Sequence, residues 1–208
     1  MPEYNKALAL EPQNFRALYG KGRLARVMRR PDESLRYYQA LLERDPVNAF
    51  VMAGLVTTLT AVGRTSDAER AARKMLEINP NILEGHWYLA YALLWNGESD
   101  AALSEIQLEP LESLRFSGLA IIQQARRDQN AADAALHELL ASNDSRKAYF
   151  VAAVYAARGE SARAIEWLKH VHDEPSGVFG EVTTDPAFNA IRKDVAFLAY
   201  LRQVKLPE

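Results

Sequence analysis

LALEP (residues 8–12), LERDP (42–46) and LEINP (76–80) decide the reading of this chain, because Pro12, Pro46 and Pro80 fall 34 residues apart. A fixed period of this length marks a protein built from stacked repeats. The same interval separates Ser34, Ala68 and Ala102, and it separates Gly63 from Gly97.

Each unit reads as two helices. In AFVMAGLVTTLTAV (49–62), Met52, Leu55, Val56, Leu59 and Val62 keep the spacing of one helical face. Gly63 suits the left-handed turn after a helix. Ser66 and Glu69 of SDAE have the spacing of a capping box. The second helix then carries Ala68, Ala72, Met75 and Leu76 inward until Pro80 ends it. A small residue near its start lets the two helices approach closely.

A 34-residue helix–turn–helix with a small residue, an aromatic and a closing proline resembles the tetratricopeptide repeat. Leu18, Gly22, Ser34, Tyr38 and Pro46 occupy the key positions of the first full unit. Leu55, Gly63, Ala68 and Pro80 do so in the second, and Leu89, Gly97 and Ala102 in the third. The expected architecture is all-α: a right-handed superhelical solenoid of about five hairpins with a C-terminal capping helix.

The period loosens further along. Ala132 and Ala164 continue the small-residue position at steps of 30 and 32. LRFSGLAIIQQARRDQNAADAALHELLA (114–141) reads as a hairpin with Asn130 as cap. KAYFVAAVYAARGESARAIEWLKHV (147–171) reads as another, with Gly159 at the turn and Ser161 as cap. SEIQLEP (104–110) is a truncated second helix stopped by Pro110. The expected units are 14–47, 48–81, 82–110, 111–143 and 144–173, within a single domain of residues 1–208. EPSGVFGEVTT (174–184) reads as a loop, and 174–208 as loop plus cap. In DPAFNAIRKDVAFLAYLRQ (185–203), Phe188, Ile191, Val195, Leu198 and Leu201 form the capping stripe.

This tail is similar to a bacterial arrangement in which repeats follow a nucleotide cyclase or a winged-helix regulator. That group carries Pro-Arg where this chain has Val195-Ala196, which leaves either two short helices or one longer one. Residues 1–12 read as the tail of a half repeat, which cannot bury its apolar face alone. A longer parent protein is expected, or a partner, including a second copy, over that face.

Composition bounds the function. With 49% apolar and 25% charged residues, a net charge of −2 and no cysteine, the chain has an ordinary soluble composition. It has no basic footprint for nucleic acid and no apolar run long enough for direct membrane contact. The cytoplasm is the expected setting, or the periplasm if the parent has an upstream span. No phosphate loop or nucleophile elbow is present. His170 and His172 point to different helix faces, and carboxylates alternate with basic residues. No enzyme activity, metal or cofactor is expected.

The expected function is binding of a protein or peptide; the alternatives are a C-terminal sensory or regulatory module of a larger bacterial signalling or transcription-regulating protein, and a self-association module. RLARVMRR (23–30) holds four arginines, read either as a docking patch for an acidic peptide or as a solvated helix end. The resemblance places positions 2, 5, 9, 12 and 13 of each unit on a concave face. These are Tyr19, Arg23 and Arg26, then Phe50, Ala53, Thr57 and Thr60. They continue with Trp87, Tyr91 and Trp95, Tyr88 close by, then Ser117, Ile121 and Gln124, and finally Tyr149 and Ala153. HWYLAYALLW (86–95) puts Trp87, Tyr91 and Trp95 on one stripe, which is either core or an aromatic grip for a peptide. Some relatives clamp a chaperone's terminal carboxylate with lysine and asparagine at positions 5 and 9. Tyr19-Arg23, Ala53-Thr57 and Trp87-Tyr91 stand there instead, so that partner is not expected.

Overall fold

The computed structural model describes residues 2–172 and 178–207. A lone helix α1 (Pro2–Leu10) precedes five hairpins. These are α2 (Phe15–Val27) with α3 (Pro31–Arg44), α4 (Ala49–Ala61) with α5 (Thr65–Ile78), and α6 (Gly85–Trp95) with α7 (Ser99–Ile106). Helices α8 (Glu112–Ala125) and α9 (Gln129–Ala141), then α10 (Lys147–Ala157) and α11 (Ser161–His172), complete the series. Two 3-10 helices, Val178–Thr183 and Pro186–Ile191, and a last helix α12 (Val195–Gln203) end the chain.

The 34-residue beat has a packing cause. Ser34, Ala68, Ala102, Ala132 and Ala164 are each 0% exposed, so every second helix meets its neighbours through its smallest residue. In the first unit the Ser34 hydroxyl also lies 3.2 Å from that of Thr58 on α4. The fully buried Tyr38 ring lies between Gly22 on α2 and Gly54 on α4. A Cβ on Gly54 would sit 2.6 Å from that ring, so the backbone itself forms the wall of the slot. Asn14 and Asn48, also 34 apart, cap α2 and α4 by accepting from the amides of Ala17 and Val51. First helices contact one another along the array, and one apolar core runs from Leu35 to Leu201.

Several local expectations are corrected. The SDAE box is absent: α5 starts at Thr65 after Arg64, and Thr65 and Ser66 turn their hydroxyls to Asn96 Oδ1 at 2.7 and 3.2 Å. Asp128, not Asn130, caps α9. The Ser161 hydroxyl is buried without a hydrogen-bond partner, so it caps nothing. Val62 is half-exposed at the end of α4.

The C-terminal stripe is broken. Asp194 accepts from the Phe197 amide and starts a new helix, so 185–203 is two short helices, not one. Phe188, Ile191 and Leu201 of the expected stripe are buried, Val195 is 82% exposed, and Phe197 and Tyr200 face inward beside them. The expected loop 174–184 lies partly outside the described residues, and its part from Val178 to Thr183 is a 3-10 helix.

That C-terminal stretch does more than cover the last hairpin. Residues 178–191 run across the inner face of the array. The first 3-10 helix touches both α2 and α11, and the second packs on α10. Val182, Ala187, Phe188 and Ile191 are buried there. The Thr183 hydroxyl donates to the Val27 carbonyl at 2.8 Å, joining the end of the chain to its first hairpin.

Candidate binding groove

The concave positions converge on one cavity of about 240 Å³. Tyr19, Arg23 and Arg26 come to it from α2, and Thr57 from α4. Trp87, Tyr88 and Tyr91 come from α6, and Tyr149 from α10. Ala53 and Thr60 line it as well. Six residues expected on the concave face stand outside the cavity. Phe50 is 75% exposed at the start of α4, Trp95 lies one turn beyond the cavity, and Gln124 is outside its lining. Ser117, Ile121 and Ala153 are buried in the core.

Helix α6 is apolar on every side, so its aromatic stripe is both core and surface. Trp87 and Tyr91 stack at 4.7 Å and 12°, with Tyr88 edge-on to Trp87 at 5.2 Å. All three pack in part on the main core and also line the cavity. Glu109 orients this helix. Fully buried, its carboxylate accepts from the Trp87 amide and the Leu111 amide, both at 3.1 Å. It thereby takes the role of an N-terminal cap for a helix whose preceding residue, Glu84, has a left-handed backbone and no capping bond. Glu84 turns to Arg146 instead, 2.7 Å away, and both line the cavity.

One wall of the cavity is the chain's own C-terminal segment. Glu181 holds the buried Arg26 guanidinium through two bonds, that from Nη2 being 2.8 Å, and lies 3.8 Å from Arg23 Nε. Asp185 accepts from the hydroxyls of Tyr91 and Tyr149, the latter at 2.6 Å, and from the Ala187 amide at 2.9 Å. Burial, and after it the Asp185 charge, push both tyrosine hydroxyls well above their ordinary pKa. Burial, followed by the Glu84 charge, raises Tyr88 likewise. These phenols therefore act as neutral donors.

Sequence reasoning missed Glu84, Glu109, Arg146, Glu181 and Asp185. Asp185-Pro186 carries a recognisable helix-start signal, and Asp185 does cap the second 3-10 helix. Nothing local in the sequence tells that its carboxylate also crosses to residues 94 and 36 positions earlier.

What the arrangement offers is an aromatic-walled recess with a polar rim. Arginine, glutamate and aspartate there are mostly partnered by one another, and an apolar group could enter. Among the described residues no cluster of three His, Cys, Asp or Glu could hold a metal, and no helix is long and apolar enough to cross a membrane.

Stacked two-helix units meeting at small residues around a concave aromatic face define a helical-repeat array. Residues 2–49 match the tetratricopeptide repeat family. The chain is 34% identical over 77 residues to the "Tetratricopeptide repeat and J domain-containing co-chaperone DNJ1" of Fusarium oxysporum f. sp. lycopersici. That match covers 37% of this chain and only 15% of the relative's length. Among solved structures, the chain is similar to TTC0263, a thermophilic TPR protein of Thermus thermophilus. The TM-score there is 0.60 at 17% identity, covering 84% of this chain and 99% of that one. A tetratricopeptide repeat protein from Parabacteroides merdae gives 0.55 at 18% identity, covering 97% and 83%. At these identities the structural likeness is one of fold.

Proposed function

We propose that the chain is a protein- or peptide-binding scaffold in which the recess over Trp87 and Tyr91 takes one anchoring side chain of the partner. The observation that carries this reading is the convergence of Tyr19, Trp87, Tyr88, Tyr91 and Tyr149 on a single cavity of about 240 Å³. Enclosed aromatic surfaces of this kind dominate binding energy where partners meet. The trough does not run open from end to end, because residues 178–191 already fill part of it. The partner is therefore expected to insert a bulky apolar side chain rather than to lie along the whole array.

The test is a displayed peptide library selected on the wild-type chain, each hit then titrated by fluorescence anisotropy. Trp87→Ala should weaken the hits at least about tenfold. Trp167→Ala, on α11 and absent from the cavity lining, should leave them within about twofold. Unchanged affinity of every hit for Trp87→Ala refutes the anchor.

A further inference from the structure

The segment that crosses the concave face is held in two unlike ways. Its second half, Pro186–Ile191, is seated in the core. Ala187, Phe188 and Ile191 are each at most 2% exposed, and the Phe188 ring lies 5.9 Å from that of Tyr149 and 6.0 Å from that of Phe197. Its first half, Val178–Thr183, touches α2 and α11. Val182 is buried there, but the tie to α2 is polar: the Thr183 hydroxyl donates to the Val27 carbonyl, and the Glu181 carboxylate accepts from Arg26. Asp185 stands between the halves, bonded to Tyr91 and Tyr149.

The tie to Arg26 dictates what can replace it. Arg26 is 5% exposed, and among the described residues Glu181 is the carboxylate that pairs with it. Its Nε is buried without a hydrogen-bond partner, so the guanidinium is not saturated even with Glu181 in place. A buried charge stripped of its partner is strongly unfavourable. Lifting the first half of the segment therefore calls for an incoming carboxylate on Arg26. Arg26 and Glu181 line the same cavity as Trp87 and Tyr91, so that carboxylate and an apolar side chain in the recess can belong to one ligand.

We propose that residues 178–184 are an internal stand-in for the partner, and that the partner is an acidic peptide whose carboxylate displaces Glu181 from Arg26 while a neighbouring apolar side chain fills the recess. The apolar part of this proposal rests on the recess reading given above. Asp185 and the second 3-10 helix stay in place as the pivot. In the free chain the stand-in closes the site, and the apparent affinity for an acidic ligand is lowered in proportion to the open fraction. Arg26, one of the four arginines of the stretch 23–30, is thus a docking point that the chain occupies first with its own carboxylate.

The test is titration of the full chain with a labelled synthetic peptide of its own residues 178–185, VFGEVTTD, followed by fluorescence anisotropy. Glu181→Gln in the chain keeps the side chain's shape and removes its charge, and should bind the peptide at least about tenfold more tightly than wild type. Thr183→Val loosens the stand-in at a residue outside the lining of the recess, and should raise affinity at least about threefold. It carries the same comparison if Glu181→Gln does not keep the wild-type helical spectrum. The peptide with glutamine in place of its glutamate should bind the Glu181→Gln chain at least about tenfold more weakly. On saturation, nuclear Overhauser contacts between Val27 and Thr183 should disappear while those between Tyr149 and Phe188 persist. No saturable binding by either variant overturns the proposal, as do equal affinity of wild type and both variants, indifference to the peptide's carboxylate, and Val27–Thr183 contacts that survive saturation. Library hits that lose affinity with Trp87→Ala yet gain none with Glu181→Gln overturn the stand-in and leave the recess. Hits that gain with Glu181→Gln and ignore Trp87→Ala support the stand-in and overturn the recess.

Discussion

Asp185→Ala tests how firmly the C-terminal segment is tied into the inner face. The wild-type carboxylate accepts three bonds, from Tyr91, from Tyr149 and from the Ala187 amide. A hydrogen bond to a charged acceptor contributes about 1.5–3 kcal/mol. Both phenols border a cavity that water can enter, which favours the lower end, so the pair contributes roughly 3 kcal/mol. Loss of the cap on the second 3-10 helix adds roughly 1 kcal/mol. Asp185→Ala should therefore destabilise the chain by about 3–4 kcal/mol in urea unfolding followed by circular dichroism. Asp185→Asn keeps one acceptor for the Ala187 amide and one phenol, and should destabilise it by about 1–2 kcal/mol. In a double-mutant cycle, Asp185→Ala and Tyr149→Phe should couple by at least about 1 kcal/mol. A loss for Asp185→Ala under about 0.5 kcal/mol, with no coupling, refutes the reasoning.

Three further outcomes follow from the packing and the titration directions. Tyr91 and Tyr149 have pKa values raised in the folded state above the ordinary 10.0, so their contribution is complete below pH 10 and is lost as pH rises through and beyond it. Urea stability should fall above pH 10, and the phenolate absorbance of these residues should appear only with unfolding; flat stability up to pH 11 contradicts this. Ala68→Leu forces a side chain into a site that is 0% exposed and should destabilise by about 1–3 kcal/mol, where Ala71→Leu, half-buried on the same helix, costs less. Gly54→Ala meets the Tyr38 ring at 2.6 Å and should destabilise by a similar amount, which Gly54→Ala combined with Tyr38→Leu partly restores; a neutral Gly54→Ala, read by thermal melting, counts against the slot.

The repeat was legible because it is enforced by contact. Ser34, Ala68, Ala102, Ala132 and Ala164 are small in the sequence for the reason that they are fully buried in the fold. Caps were read less well. Ser66 has the spacing of a local cap, yet Asn96 in the following unit takes its hydroxyl, and a tertiary partner is not written in a local pattern. The inner face was legible on one side only. Helical spacing brings Tyr19, Trp87, Tyr91 and Tyr149 to one surface, but Glu181 and Asp185 reach it through the path of the C-terminal segment, which no periodicity encodes. Phe50 shows the converse limit: it holds a groove position by counting, and the helix start there turns it to solvent.

The C-terminal segment is pinned across the concave face against the first hairpin, which turns the trough into a recess. Nuclear Overhauser contacts measured on the isotope-labelled chain test it most directly, between Val27 and both Gly180 and Thr183, whose atoms touch in the fold. The account predicts cross-peaks from the Val27 methyls to the Gly180 α-protons and from Val27 to the Thr183 side chain. Their absence, with the hairpin contacts between α2 and α3 intact, would contradict it.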